Sequence, residues 1–238
     1  MIVDVFFPCI HDGFSEQQRE NLLKILSQVG DQPSDVAAPQ CCGQHFYLSG
    51  YPQLAKTYGE HLLKAYEANR PLIVASTSCL GYMKHYYNKF FFNTSLHNEL
   101  KQFQNNVLDI TQYLVLVKKK TAFGARFEGV VAYYKPCVAS EKCNMSNEAE
   151  LLLKEVEGLR LVDYHAQNCC GAGGHFPVSY PDFAEKLALM EIQEMMDQGA
   201  EYIVSSDARC LNHFKSVIEK NKFSIKTIHI VDVLASGY

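Results

Sequence analysis

Short, mainly apolar runs alternate along this chain with longer stretches in which apolar residues recur every three or four positions. Residues 3–7 and 130–134 form runs of the first kind, as do 73–75 and 202–204. Each predicts a short strand buried on both faces of a parallel sheet. The second kind begins after Ser15, where Ser15 and Gln18 make a capping box ahead of Leu22, Leu23, Ile25 and Leu26, one face of a helix. A longer helix is predicted over 181–198, with Pro181 in the first turn, where its missing N–H costs nothing, and Gly199 as its stop. Strand and helix alternate, which predicts an α/β fold with mostly parallel sheets. Ligands of such sheets bind beyond the carboxyl ends of the strands.

The pattern occurs twice. VDVFFPC (3–9) matches VAYYKPC (131–137), and CCGQHF (41–46) matches CCGAGGHF (169–176). Tyr51-Pro52 matches Tyr180-Pro181, and LIVASTSCL (72–80) matches IVSSDARCL (203–211). One ancestral unit, duplicated, predicts two tandem, similar α/β units over 1–120 and 129–238. The segment 121–129, with Gly124 and Gly129 after the lysine run 118–120, is the expected junction.

A chain of 238 residues buries one large core or two medium ones. Its formal charge is −4, and no apolar run has the length of a membrane span. Three consecutive lysines are too few to mark a nucleic-acid site and read as solvated linker. The opening MIVDVFFPC has no basic region and meets an acid at Asp4, so no signal peptide is expected there. A cytoplasmic protein with reduced thiols is the expectation.

Eight of the nine cysteines fall in the repeat. Cys9, Cys41, Cys42 and Cys79 read C-x31-C-C-G-x35-C; Cys137, Cys169, Cys170 and Cys210 read C-x31-C-C-G-x38-C. Adjacent cysteines do not readily share a disulfide, yet they can bind different metal atoms of one cluster. The chain is far longer than the small secreted domains that need disulfide staples. Cys143 has no counterpart and reads as a small buried hydrophobe. The array therefore predicts soft-metal chemistry: an iron–sulfur cluster of the 4Fe–4S type in one or both units, or zinc in one of them. Gly43 and Gly171 are expected to let the backbone approach inorganic sulfur. Free N–H groups over 171–174 can donate to it. His45 and His175 each follow the cysteine pair in a His-Phe step, and support or packing is the expected role ahead of ligation.

With these motifs the chain resembles the CCG cysteine-rich domain family. That domain occurs twice in one of the subunits of heterodisulfide reductase and recurs in iron–sulfur subunits of glycolate oxidase and anaerobic glycerol-3-phosphate dehydrogenase. The resemblance covers nearly the whole chain, and a stand-alone chain of this length is most similar to the lactate-utilization members. It implies an iron–sulfur electron-transfer subunit, not itself catalytic, of a three-protein cytoplasmic system that oxidises L-lactate to pyruvate. A ferredoxin-like iron–sulfur protein and a third small subunit are the implied partners. A heterodisulfide-reductase-like or glycolate-oxidase-type subunit and a zinc-bearing scaffold stay open as alternatives. The heterodisulfide relatives end each array in C-x-x-C, whereas Ser76 and Asp207 stand at the first of those positions here. Four cysteines remain in each unit, enough for a 4Fe–4S cluster. Asp207 either ligates iron through oxygen or caps the helix expected over 209–214. No GxGxxG followed by an acid occurs and no Ser-His-Asp order stands out, so the chain is expected to move electrons and not to abstract a hydride.

Overall fold

The computed structural model describes residues 1–9, 13–36, 41–67 and 69–237. The first unit runs β1 (Ile2–Phe6), α1 (Glu16–Gln28), β2 (Gln32–Asp35), α2 (Gln44–Leu48), α3 (Pro52–Ala65), β3 (Leu72–Val74) and α4 (Thr77–His85). It continues with α5 (Asn88–Phe91), α6 (His97–Asn106), β4 (Val107–Leu108) and α7 (Ile110–Gln112), which passes into a π-helical turn over Tyr113–Val117. The second unit runs β5 (Arg126–Tyr133), α8 (Cys137–Cys143), α9 (Glu148–Lys154), β6 (Glu157–Leu161), α10 (Phe176–Ser179), α11 (Pro181–Asp197) and β7 (Tyr202–Ser205). It closes with α12 (Ala208–Asn221), β8 (Lys226–His229) and α13 (Ile230–Leu234).

Each unit forms a four-stranded sheet, ordered β2-β1-β3-β4 in the first and β6-β5-β7-β8 in the second. Every neighbouring pair is parallel. The strand order is the same in both, as a duplicated α/β unit requires. Parallel neighbours need a crossover, and helices supply it.

The local signals act as the pattern predicts. Ser15 accepts from the Gln18 amide and Gln18 answers, closing the capping box of α1. Helix α11 opens at Pro181, ends at Asp197, and the chain turns at Gly199 with φ 77°. Asp207 caps α12. Strand β5, however, begins at Arg126, inside the expected junction. Residues 126–129 are not an apolar run, yet Arg126 pairs with Glu157 of β6 ahead of a register shift before Gly129. Where the first unit has α1, the second has α8 and α9, broken where Asn144 turns left-handed at φ 53°.

The two sheets share a core. Val3 and Val5 of β1, Ile25 of α1, Val131 of β5 and Ile230 and Val233 of α13 pack in one buried cluster. Burying each such side chain contributes about 1.5–3 kcal/mol. At the rim of that core, Gln18 and Asn21 of α1 donate to Asp232 of α13 at 3.3 and 2.7 Å. Each unit also has an outer core of its own. Leu62, Tyr87 and Phe103 surround Cys42 and Cys79, while Tyr134, Ile192 and Phe214 lie with Cys170 and Cys210. Among the described residues no helix is long and apolar enough to cross a membrane.

Candidate metal centre

The cysteines of each unit gather at the carboxyl ends of its two central strands. Cys9 follows β1, Cys79 lies in the first turn of α4 just after β3, and Cys41-Cys42 lead into α2. Cys42 Sγ and Cys79 Sγ are 3.1 Å apart and buried. Cys9 and Cys41 are hydrogen-bonded to each other and half-buried, and the Gly43 amide donates to Cys41 Sγ at 3.4 Å.

The second unit repeats this division. Cys170 Sγ and Cys210 Sγ lie 2.7 Å apart and buried. Cys137 and Cys169 form the outer couple at 3.9 Å, with Cys169 exposed and its Sγ accepting from the Gly171 amide at 3.5 Å. In both units, then, one cysteine of the adjacent pair meets an inner partner and the other an outer one, and in the second unit Cys170 also donates to Cys169.

The outer couples are electrostatically lopsided. Its bond to Cys169, added to burial, pushes the Cys137 thiol up. The donations from Cys137 and Cys170, with the Gly171 N–H, overcome burial and hold Cys169 low. Cys41 is pushed up by its bond to Cys9 and by burial.

Gly43 and Gly171 sit at φ 88° and 84°, a left-handed turn that favours glycine. A Cβ on either would lie 2.7 Å from a backbone oxygen, that of Ala55 or of Ala184. Their glycine is thus demanded by the following long helix pressing on the turn. Their amides still point at sulfur. His45 and His175 meet each other across the boundary between the units, with ring centroids 5.8 Å apart, and His175 Nε2 lies 2.7 Å from Ser49 Oγ. Asp207 Oδ1 accepts from the Cys210 amide at 3.1 Å, so it is a cap.

Several supporting residues carry no signal in the repeat. Glu191 of α11 is 2% exposed and accepts from the Asn168 amide at 2.7 Å, Asn168 Nδ2 at 2.9 Å, the Gln167 amide at 3.4 Å and the Tyr164 hydroxyl. It fixes the loop that enters Cys169. Its counterpart in α3 is the buried Leu62. The Tyr87 hydroxyl donates to the Cys42 carbonyl at 2.9 Å, and Tyr134 donates to the Asn168 carbonyl at 3.0 Å. An acid within the apolar stripe Ala184, Ala188, Ile192, Met195 is the one sign that could have marked Glu191.

Each donor set is four thiols with an amide on an outer sulfur, a soft set suited to zinc or an iron–sulfur group. Among the described residues no three or more Cys, His, Asp or Glu side chains have the spacing to hold a single metal ion. In each unit the four thiols gather at one end of the sheet, and such a set fits a thiolate-bound metal group.

Residues 3–84 and 131–215 both match the family described as cysteine-rich domain, CCG. Lactate utilization protein A of Macrococcus caseolyticus is 28% identical over 235 residues, covering 98% of this chain and 96% of its own. Lactate utilization protein A 1 of Bacillus mycoides is 30% identical over 237 residues, again covering 98% and 96%. Among solved structures, a hypothetical protein from Helicobacter pylori superposes with a TM-score of 0.62 at 13% identity. All of this chain aligns, spanning about half the length of that protein (49%), and the likeness concerns the fold.

Proposed function

We propose, for a chain that belongs to the cysteine-rich CCG domain family and to its lactate utilization protein A group, the role of iron–sulfur electron-transfer subunit in a cytoplasmic system oxidising L-lactate to pyruvate. The observation that carries this reading is the same inner-and-outer gathering of four thiols in both units. Cys9, Cys41, Cys42 and Cys79 in one unit, and Cys137, Cys169, Cys170 and Cys210 in the other, would hold clusters that supply reversible one-electron chemistry. The chain's own part is to hold these thiols. The Gly43 and Gly171 amides stabilise negative charge on the outer sulfurs, the outer cores keep water from the inner ones, and Glu191 pins the loop before Cys169. Cys169, the exposed member, marks the side from which a redox partner reaches the second unit. A ferredoxin-like iron–sulfur protein and a third small subunit are the proposed partners. Ser76 and Asp207 are engaged as helix caps, which supports four-thiol sites over the five-thiol sites of heterodisulfide reductases.

Anaerobic purification followed by iron, sulfide and zinc analysis tests this. About four irons and four sulfides per loaded site are expected. Replacing Cys170 by serine should remove the visible absorption of the second site and stop lactate-dependent electron flow in the reconstituted system, with the fold retained. Stoichiometric zinc without sulfide would establish the scaffold reading instead, and disulfide turnover by the isolated chain would establish the heterodisulfide-type reading. Undiminished lactate oxidation by Cys170→Ser refutes the assignment.

A further inference from the structure

Asp207 does more than cap its own helix. It is fully buried, at 0% exposure, and its two carboxylate oxygens face different units. Oδ1 accepts from the Cys210 amide at 3.1 Å, the third helical residue of α12. Oδ2 crosses to the first unit, where it accepts from the Ser78 amide at 2.8 Å and the Ser78 hydroxyl at 2.6 Å. Ser78 is the second helical residue of α4 and the residue before Cys79. The next amide of α4, that of Cys79 itself, is taken by Ser76 at 3.3 Å. One carboxylate thus satisfies orphan amides at the starts of two helices in two units, and its charge suits both N-termini. A second link reinforces it one residue earlier on each side: Thr77 Oγ1 donates to the Ser206 carbonyl at 3.0 Å and lies 2.9 Å from Ser206 Oγ. Ser76, the repeat counterpart of Asp207, caps α4 through the same local contact, but a serine has one oxygen where the aspartate has two.

We infer that Asp207 is a positioning residue for both cysteine sites, fixing Cys79 of the first unit as well as Cys210 of its own, so that the two sites are set in place by one group. The inference rests on the reading that these thiols are cofactor ligands, and it adds that the sites are mechanically coupled. The chemistry is simple. Cys79 is 2% exposed and reaches solvent only when the first turn of α4 opens. Hydrogen bonds to a buried charge are the strong kind, and two of those holding that turn come from the other unit.

The test uses the full-length reduced chain before any metal is added, with alkylation of each cysteine followed by mass spectrometry. Asp207→Ser reproduces the cap of the first unit and deletes the bridge. It should speed labelling of Cys79 by about tenfold or more. Cys170, equally buried but held by the loop that Glu191 pins, should stay within about twofold. Unchanged labelling of Cys79 overturns the inference. So does an equal rise at Cys170, because that outcome reads general loosening and not a bridge. If Asp207→Ser does not fold, Ser78→Ala removes the hydroxyl contact from the other side and should still speed Cys79 by about threefold, with no change again decisive against coupling. Iron and sulfide analysis of the wild-type chain decides separately whether the thiols hold a cluster, so the two readings fail independently.

Discussion

Gly171 shows how much one residue can be asked to do. Its φ of 84° excludes most side chains, its missing Cβ lets Ala184 O come within 2.7 Å of where that atom would be, and its amide reaches Cys169. Gly171→Ala should cost at least about 1–2 kcal/mol from the left-handed backbone alone, before the clash is counted. Gly173→Ala is the control, since nothing lies within 4 Å of an added Cβ there. Thermal unfolding of the two variants should separate them clearly, and equal midpoints would remove the steric account of the CCG glycine. The eight repeated cysteines are legible in the sequence because they occur twice at matched spacing. Glu191 and Ser78 are not, because each acts in one copy only: the place of Glu191 in the first unit is held by Leu62, and Ser78 matters through a carboxylate that its own unit lacks.

At the level of elements, legibility follows burial. The central strands β1, β3, β5 and β7 read as apolar runs because both faces are covered. The edge strand β2 (QPSD) is polar, half-exposed and carries Pro33, which an edge tolerates, so no period marks it. Residues 84–120 are equally opaque. There the chain folds α5 and α6 and then a π-helical turn, tied back when the Tyr113 hydroxyl and Lys118 Nζ donate to Asp31 at 2.8 and 3.0 Å. The helix before that turn starts at Asp109, 2% exposed and bonded to the Thr111 amide and hydroxyl at 2.7 and 2.6 Å. Burial raises its carboxyl to about 6 even though these bonds pull the other way. An acid raised in this manner favours the fold when protonated. Its contribution is complete below the unfolded value near pH 4 and is lost as pH climbs through 6, about 3 kcal/mol over that window. Asp109→Asn should flatten that part of the stability profile in chemical denaturation between pH 4 and 6; an unchanged slope would assign it to another group.

Across the whole molecule the duplication has not produced two independent bodies. Val3, Ile25, Val131 and Ile230 share one core, His45 faces His175, and Asp207 reaches Ser78. The inner thiols belong to hydrophobic clusters as fully as any leucine: Cys42 and Cys79 are each 2% exposed, and so is Cys170. That placement has a consequence for how the protein is made. The iron–sulfur group proposed for these sites would reach the inner sulfurs only while the packing around them is open. Loading of the cofactor and closure of that packing would then be linked. Chain synthesised under iron starvation should then be cleaved by protease faster than chain made with iron, because occupancy of the native state by its cofactor shifts the opening equilibrium. Equal cleavage would mean that the cores close without it. In a cell, iron shortage would thus be felt as shortened lifetime of the chain, and the pool of this protein would track the metal supply without any dedicated sensor.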